Sequence, residues 1–590
     1  MNTRLRTHTC GQLRQTDIGK KVAVCGWLHS TRDLGAVAFF VLRDFYGVTQ
    51  VTINAEPFLT QIRAISRESV LRVEGSVIAR SSTNPDLPTG LIEIEPTKIE
   101  ILGECIEQLP FEIPLSLTMR EDARLKYRFL DMRNPVVKDK LVLRSQVASS
   151  IRRRMTDLGF LEVTTPILTS SSPEGARDFI VPSRLHHGQF YALPQAPQQF
   201  KQLLMTGGFD RYFQLAPCFR DEDARADRSP GEFYQLDLEM SFAGQEDVFE
   251  VIEAVFPPLF KEFSDKKVDT APFLRISYDE AIEKYGCDKP DLRNPLLIQS
   301  ADFFSTLSLK DGEKEFAALK QKTVKAIVVK EFDRPRSFIE KDIIEGAKSH
   351  EIDGLFWFKT DEKQEFVGGI SKFLNPYKKQ IFDSLQLQKN CLVLLIANES
   401  AAAASKFASV VRNMLGEGLG LIDKDAFRLV WVVDYPMFEL DDEGKIAFSH
   451  NPFSMPQGGE KALDGDPLKV KAFQYDLVCN GIELSSGAVR NHSPKIMEKA
   501  FAIAGYDKKV IEEKFSALYN AFKFGAPPHA GIAPGLDRIV MLLADEPNIR
   551  EVIAFPMNKN AQDLLMGAPN TVSQKQLDDV GIAIKKASAK

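Results

Sequence analysis

Three segments set charged residues on or at the ends of otherwise apolar strands and at the start of an apolar helix. FRDEDARAD at 219–227 closes one apolar run, and EFYQLDLE at 232–239 follows with Gln235, Asp237 and Glu239 alternating, which puts all three on one face of a returning strand. The first run alone is also what a solvated turn supplies. Together the two make a hairpin with a polar floor, and burying such a floor is costly unless its groups pair or meet a ligand. NGIELSSGAVR at 480–490 sets Glu483 in an apolar strand and Arg490 beyond a Ser-Ser-Gly turn, with Asp476 ahead at a spacing that can bring two carboxylates together. Carboxylates and phosphate oxygens are what Mg²⁺ prefers; a surface strand and loop is the plainer alternative. GIAPGLDRIVMLLADE at 531–546 joins a Gly-rich turn to an apolar helix with Arg538 in its first turn. A helix N-terminus and a guanidinium favour anionic phosphate, although Gly-to-helix turns are frequent.

These residues need a framework. From about 20 to 105, short alternating runs such as VAVCGWLHS, VAFFVLRD and VLRVEGSVIA predict a five-stranded barrel over 1–109. Oligonucleotide-binding, SH3-like and purely structural barrels share that periodicity. Pro110 and Pro114 mark 110–140 as a linker or hinge. Val147, Ile151, Met155 and Leu158 then recur at helical spacing, with Gly159 placed to end the helix. The strands RYFQLAPCFRDE and EFYQLDLEMSF make 141–289 the first part of a catalytic domain. Lys-rich amphipathic helices and the strands KAIVVK, DGLFWF and LVLLIA read as an inserted α/β domain over 290–425. The strand-rich pattern returns over 426–590, so the catalytic domain is interrupted, not doubled.

The bulk properties narrow the class. A chain of 590 residues exceeds one core and divides into several domains. Hydrophobic residues at 44% and charged residues at 26% exclude a largely disordered protein. A net charge of −6 means that any contact with nucleic acid relies on local basic patches. The seven cysteines are scattered without a CxxC pair, which favours a reducing cytosol. No apolar signal core opens the chain, and CLVLLIA is far short of a membrane span, so a cytoplasmic location without membrane contact is expected.

With LGFLEVTTPIL at 158–168, the three charged segments resemble, in order, the signature motifs of class II aminoacyl-tRNA synthetases. SPEGARDF at 172–179, YALPQAPQQFKQLLM at 191–205 and PPHAGIAPGLDR extend the likeness to the bacterial-type aspartyl-tRNA synthetases over nearly the whole chain. The resemblance implies a multidomain α+β fold: an N-terminal OB-fold barrel that binds the anticodon, an antiparallel catalytic sheet, and a bacterial insertion domain. It implies ATP as substrate with Mg²⁺, activation of L-aspartate to the adenylate, transfer to tRNA(Asp), and a homodimer built around Pro166. Whether tRNA(Asn) is charged too stays open, as does the role of the inserted domain. The rival readings are a related synthetase for asparagine or lysine, an amidotransferase-type or RNA-binding paralogue that keeps the fold without charging tRNA, and a non-enzymatic OB-fold binding protein.

The resemblance also assigns residues. Arg220 would hold the α-phosphate and the substrate carboxylate, Glu222 the adenine amino group and Arg538 the γ-phosphate, these three being the catalytic set. Phe233 would stack on adenine, with Asp221, Ser229, Glu483, Gly535, Leu536 and Asp537 completing the ATP site. Asp476 and Glu483 would hold Mg²⁺. Lys201 and Arg490 would face the aspartate side chain, and Glu174, Gln198 and Asp237 its amino group, with His450 on a closing loop. Arg32, Leu34, Phe39 and Gln50 match the anticodon-reading positions. The chain departs from the family at Asn451, where a second His is frequent, at Ala196 for Ser, and at Ser229 for Gln beside an extra Gly231.

Overall fold

The computed structural model describes residues 3–171, 176–311, 314–441 and 443–585. Two compact units meet in sequence between Glu112 and Ile113. In the first, β1 (Lys21–Asp33), β2 (Ala38–Asp44), β3 (Gly47–Ile53), helix α1 (Phe58–Ala64), β4 (Val70–Ala79) and β5 (Ile92–Gly103) form a closed barrel in the order β1-β2-β3-β5-β4. Alternation decides which ring of the Phe39-Phe40 pair fills the core: Ala38, Phe40 and Leu42 are fully buried, and Phe39 faces outward. Phe39 pairs across the sheet with Arg32 of β1 and Thr52 of β3. Gln50 shares the outer face and donates from Nε2 to Glu93 Oε2 at 2.7 Å. Leu34 is exposed between β1 and β2.

The second unit begins with a departure from expectation. Residues 113–131, part of the expected linker, fold into short helical turns bound to the segment 550–554. Arg124 pairs with Asp131 and reaches Glu551, 427 residues further along, at 2.8 Å, while Arg128 donates to the carbonyls of Ile553 and Ala554. The partners that order the segment lie far away in sequence.

Helix α2 (Pro135–Asp157) starts where the Asn134 side chain accepts from Val136 N and Pro135 takes the first turn. Its buried Val147, Ile151 and Met155 lie on the expected face, and Gly159 follows at φ +80°. Next come β6 (Leu161–Glu162), α3 (Gln198–Thr206), β7 (Arg211–Arg220), β8 (Gly231–Ser241), α4 (Gln245–Phe263), β9 (Leu274–Ser277) and α5 (Tyr278–Tyr285). A separate sheet follows, of β10 (Ile298–Ser300), β11 (Thr323–Val329), β12 (Leu355–Thr360), β13 (Phe366–Val367) and β14 (Leu392–Asn398), with α6 (Ala401–Gly418) beside it. All its pairings are antiparallel, in the order β10-β11-β14-β12-β13. Both faces are covered: Leu392, Leu394 and Ile396 join one apolar cluster, and Cys391, Val393 and Leu395 join another. That is why LVLLIA reads as a continuous apolar run.

The chain then re-enters the main sheet with β15 (Leu429–Val433), β16 (Gln474–Cys479), β17 (Ile482–Val489) and β18 (His529–Ile532), before helix α7 (Leu536–Leu543). The eight strands run β9-β15-β16-β17-β18-β8-β7-β6, antiparallel except for the two outer pairs. This sheet has two unlike faces. Leu236, Leu238, Trp431, Tyr475, Leu477 and Ile532 pack under α2, α4 and α7, where Trp431 stacks on Phe249 with ring centroids 4.0 Å apart. On the opposite face stand Arg220, Gln235, Asp237, Glu239 and Asp476.

Candidate active site

The polar face floors a cavity of about 250 Å³, lined among others by Gln198, Lys201, Arg220, Glu222, Ser229, Phe233, Asp237, Glu483, Arg490, Gly535, Asp537 and Arg538. Four charges occupy one end. Lys201 Nζ lies 2.7 Å from Asp237 Oδ1 and 3.3 Å from Glu239 Oε2, and Arg490 grips Glu239 with two parallel bonds of 2.9 and 3.2 Å. No side chain of the four is more than 2 % exposed. Two cations and two carboxylates cancel, which is how so much charge is tolerated away from water. Burial pulls the Glu239 carboxyl upward, but Arg490 and Lys201 outweigh it and hold it below the usual range. For Asp237 burial prevails over Lys201 and the carboxyl is raised. Asp237 Oδ2 and the Gln198 amide nitrogen are buried without partners. Arg490 uses Nε and Nη2 on Glu239 and lines the cavity.

Glu239 fits because its neighbour has no side chain. A Cβ on Gly531 of β18 would meet Glu239 Oε2 at 2.0 Å. Gly231, opposite Arg220 at the start of β8, has φ +80°, a conformation that favours glycine.

The other end of the cavity is looser. The Arg220 guanidinium lies 5.0 Å from the Phe233 ring centroid and donates to the Gln195 carbonyl at 3.3 Å. Glu222 ion-pairs with Arg228 in the turn between β7 and β8. Arg538, in the first turn of α7, donates to the backbone carbonyls of Asp227 and Glu483 and lies 3.2 Å from the Asp227 carboxylate. A paired arginine cluster beside a helix N-terminus, next to a ring that a planar base can cover, suits a nucleoside polyphosphate. Asp476 accepts a hydrogen bond from Tyr435 at 2.9 Å through Oδ2, and its buried Oδ1 has no partner. Burial first and Glu483 second push its carboxyl up to about 7, against the pull of Ser486, Lys289 and Tyr435. A carboxylate in that position accommodates a cation. Among the described residues, no three His, Cys, Asp or Glu side chains converge on one, so a metal here would share phosphate oxygens.

The geometry agrees with what comparison finds. The model of tRNA synthetases class II (D, K and N) matches residues 120–559, and an OB-fold nucleic acid binding domain matches 22–102. The chain belongs to the class II tRNA synthetases. An aspartate–tRNA ligase from Streptomyces coelicolor is 52% identical, with all of both chains covered. An aspartate–tRNA(Asp/Asn) ligase from Rickettsia bellii is 50% identical over 99% of this chain and 98% of that one. Among solved structures, the aspartyl-tRNA synthetase of Entamoeba histolytica superposes with a TM-score of 0.55 at 20% identity, covering 92% of this chain and 89% of that one. The asparaginyl-tRNA synthetase of Pyrococcus horikoshii bound to asparaginyl-adenylate gives 0.57 at 18%, covering 93% and 97%. These two likenesses speak to fold.

In this synthetase the expected residues divide between those that line the cavity and those that do not. Asp221 sits outside it, beyond the end of β7, where its backbone N bonds the Arg177 carbonyl; Glu222 lines the cavity from the turn past that strand. Leu536 packs into the core beneath the sheet. His450 is exposed, edge-on to Tyr435 at 5.0 Å, and lines a neighbouring cavity, whereas Asn451 borders both. The Asp537 carboxylate is committed to Arg144 and to the backbone N of Tyr234. Glu174 lies outside the described residues. Sequence reasoning noted Glu239 on the polar face yet gave it no role, and it missed Arg228, Asp227, Tyr435 and Lys289. The period-2 alternation held the signal for Glu239; the other four sit on turns and loops, which have no period.

Proposed function

We propose that the protein joins L-aspartate to tRNA(Asp) in two steps, using ATP and releasing AMP and pyrophosphate. The observation that carries this reading is the neutral quartet of Lys201, Asp237, Glu239 and Arg490 at the closed end of the cavity. It leaves one edge of the Arg490 guanidinium for the substrate's side-chain carboxylate and Asp237 Oδ2 for its ammonium. An asparagine side chain there would leave that guanidinium unpaired. Full-length relatives named for aspartate support the same choice.

In the first step the substrate α-carboxylate attacks the α-phosphate, and the protein's task is alignment and charge stabilisation. Arg220 bridges the two reacting oxyanions from the end of β7, and its guanidinium meets the charge that builds on phosphorus. Phe233 supplies the face on which adenine stacks, with Glu222, Ser229 and Gly535 around it, and Arg538 receives the γ-phosphate. Asp476 and Glu483 would hold Mg²⁺, which neutralises the departing pyrophosphate. For this Arg228, Asp227 and the other present partners must yield to the nucleotide. The aspartyl group then passes to the terminal adenosine of tRNA. On the barrel, Phe39 offers a stacking face beside Arg32 and Gln50, with Leu34 at the rim, as an anticodon surface.

Charging of tRNA(Asn) as well is supported by relatives such as that from Rickettsia bellii, named for both tRNAs, while the Streptomyces relatives are named for aspartate alone. The exposed Leu161, Ile167, Leu168 and Ile180 around the first signature segment support a homodimer. Seven unpaired cysteines suit a reducing cytoplasm. No helix among the described residues is long and apolar enough to cross a membrane. Amino-acid-dependent ATP–pyrophosphate exchange tests the central claim: exchange with aspartate and none with asparagine or lysine is expected, and folded protein silent with aspartate refutes it.

A further inference from the structure

At the nucleotide end, one of the two carboxylates read as metal ligands, Glu483, already meets a cation of the chain itself. Lys289, three residues past Gly286 at the end of α5, places Nζ 3.3 Å from Glu483 Oε2 and 2.8 Å from Asp288 Oδ2. Asp476, on the strand beside Glu483, is near enough to feel both Glu483 and Lys289. Its Oδ1 is buried and unpartnered, so the compensation is incomplete. The Arg538 guanidinium stands 3.6 Å from Glu483 Oε1 on the far side. Asp288 and Glu483 thus meet Lys289, Glu483 meets Arg538 as well, and Asp476 lies on the neighbouring strand.

The position of Lys289 is fixed from behind. Arg412, 1 % exposed, donates to the carbonyls of Asp291, Asn294 and Leu296, and Asn294 donates back to the Arg412 carbonyl. The turn that carries the ammonium is therefore clamped to the inserted sheet and its helix α6. A divalent cation arriving at Asp476 and Glu483 without phosphate oxygens would lie close to this ammonium and be repelled by it.

We propose that Lys289 is an internal counter-cation of the Asp476–Glu483 pair: it occupies Glu483 in the nucleotide-free protein and keeps divalent cations weakly bound until ATP brings its own phosphate ligands. The proposal rests on the reading of Asp476 and Glu483 as metal ligands. It makes Lys289 a positioning residue, distinct from the groups that touch substrate.

The test uses Mn²⁺ as probe and the full chain as wild type, Lys289→Met and Asp476→Asn. Free Mn²⁺ is followed by its EPR signal, with and without a non-hydrolysable ATP analogue. Without nucleotide, Lys289→Met is expected to bind Mn²⁺ about tenfold more tightly than wild type, about 1.4 kcal/mol, and to gain more in melting temperature when Mn²⁺ is added. Lys289→Arg, which keeps the charge, is expected to stay weak. Equal Mn²⁺ binding by wild type and Lys289→Met without nucleotide, while Asp476→Asn loses binding with the analogue, overturns the proposal and leaves the metal reading standing. Undiminished binding by Asp476→Asn with the analogue overturns the metal reading, and the proposal with it. Lys289→Gln gives the same comparison if the Met variant folds poorly.

Discussion

The two ends of the cavity keep their charges in opposite ways. At the amino-acid end, Lys201, Asp237, Glu239 and Arg490 neutralise one another behind nearly complete burial, with two strands and a helix fixing their geometry. At the nucleotide end, Arg220, Arg538, Glu222 and Glu483 are partly open to solvent and paired to residues on turns, such as Arg228, Asp227 and Lys289. On the function proposed above, the first arrangement would select, because it does not rearrange to fit the wrong ligand. The second would exchange partners, because a triphosphate brings more charge than a closed cluster tolerates.

If that contrast is right, breaking the closed end damages the fold as well as activity. Glu239→Gln strands Arg490 and Lys201 beside a single carboxylate and is expected to cost about 3–5 kcal/mol of stability, with loss of aspartate-dependent exchange. Because Glu239 is held below its ordinary value of 4.5, the unfolded chain takes up a proton there before the folded chain does. Its contribution is full above that value and is lost as pH falls through the folded value. Urea unfolding should therefore show the gap between wild type and variant narrowing in acid; a gap that widens would contradict the pairing.

Arg220→Ala, at the open end, is expected to fold normally and to lose kcat for exchange by on the order of 10²–10³. A change confined to KM would mean that the residue binds ground state and transition state alike. Arg490→Lys keeps the charge but not the two-pronged grip. It should lower kcat/KM for aspartate by about 100-fold, about 2.7 kcal/mol, with the KM for ATP within about threefold. Equal effects on both substrates would erase the division between the two ends. The smallest effect falls on the barrel: Phe39→Ala should weaken tRNA use by about tenfold, the loss of one stacked base, and leave exchange without tRNA untouched. Altered exchange would place Phe39 in the fold and not in recognition.

Much of this was legible in residue order. Alternation along β8 put Gln235, Asp237 and Glu239 on one face, and the helical spacing of Val147, Ile151 and Met155 found α2. Periodicity stops where pairing is long-range. Glu239 meets Arg490 across 251 residues, and the arginines that make helical turns of the expected linker find their acceptors near the chain's end. Phe39 and Phe40 were indistinguishable as letters, and only the closed barrel decides which ring faces out. Lys289 sits in a short Asp-Lys-Pro-Asp turn of no period, and the fold alone brings it to Glu483.

Gly531 carries a consequence for redesign. With no room for even a methyl group between its backbone and the Glu239 carboxylate, the amino-acid end behaves as one inherited unit. Replacing Arg490 to admit an uncharged amino acid would leave Glu239 wedged against bare backbone with only Lys201 for company. With Arg490 as the proposed reader of the substrate side chain, a change of substrate would require Arg490, Glu239 and the strand beside them to change together, several simultaneous substitutions away.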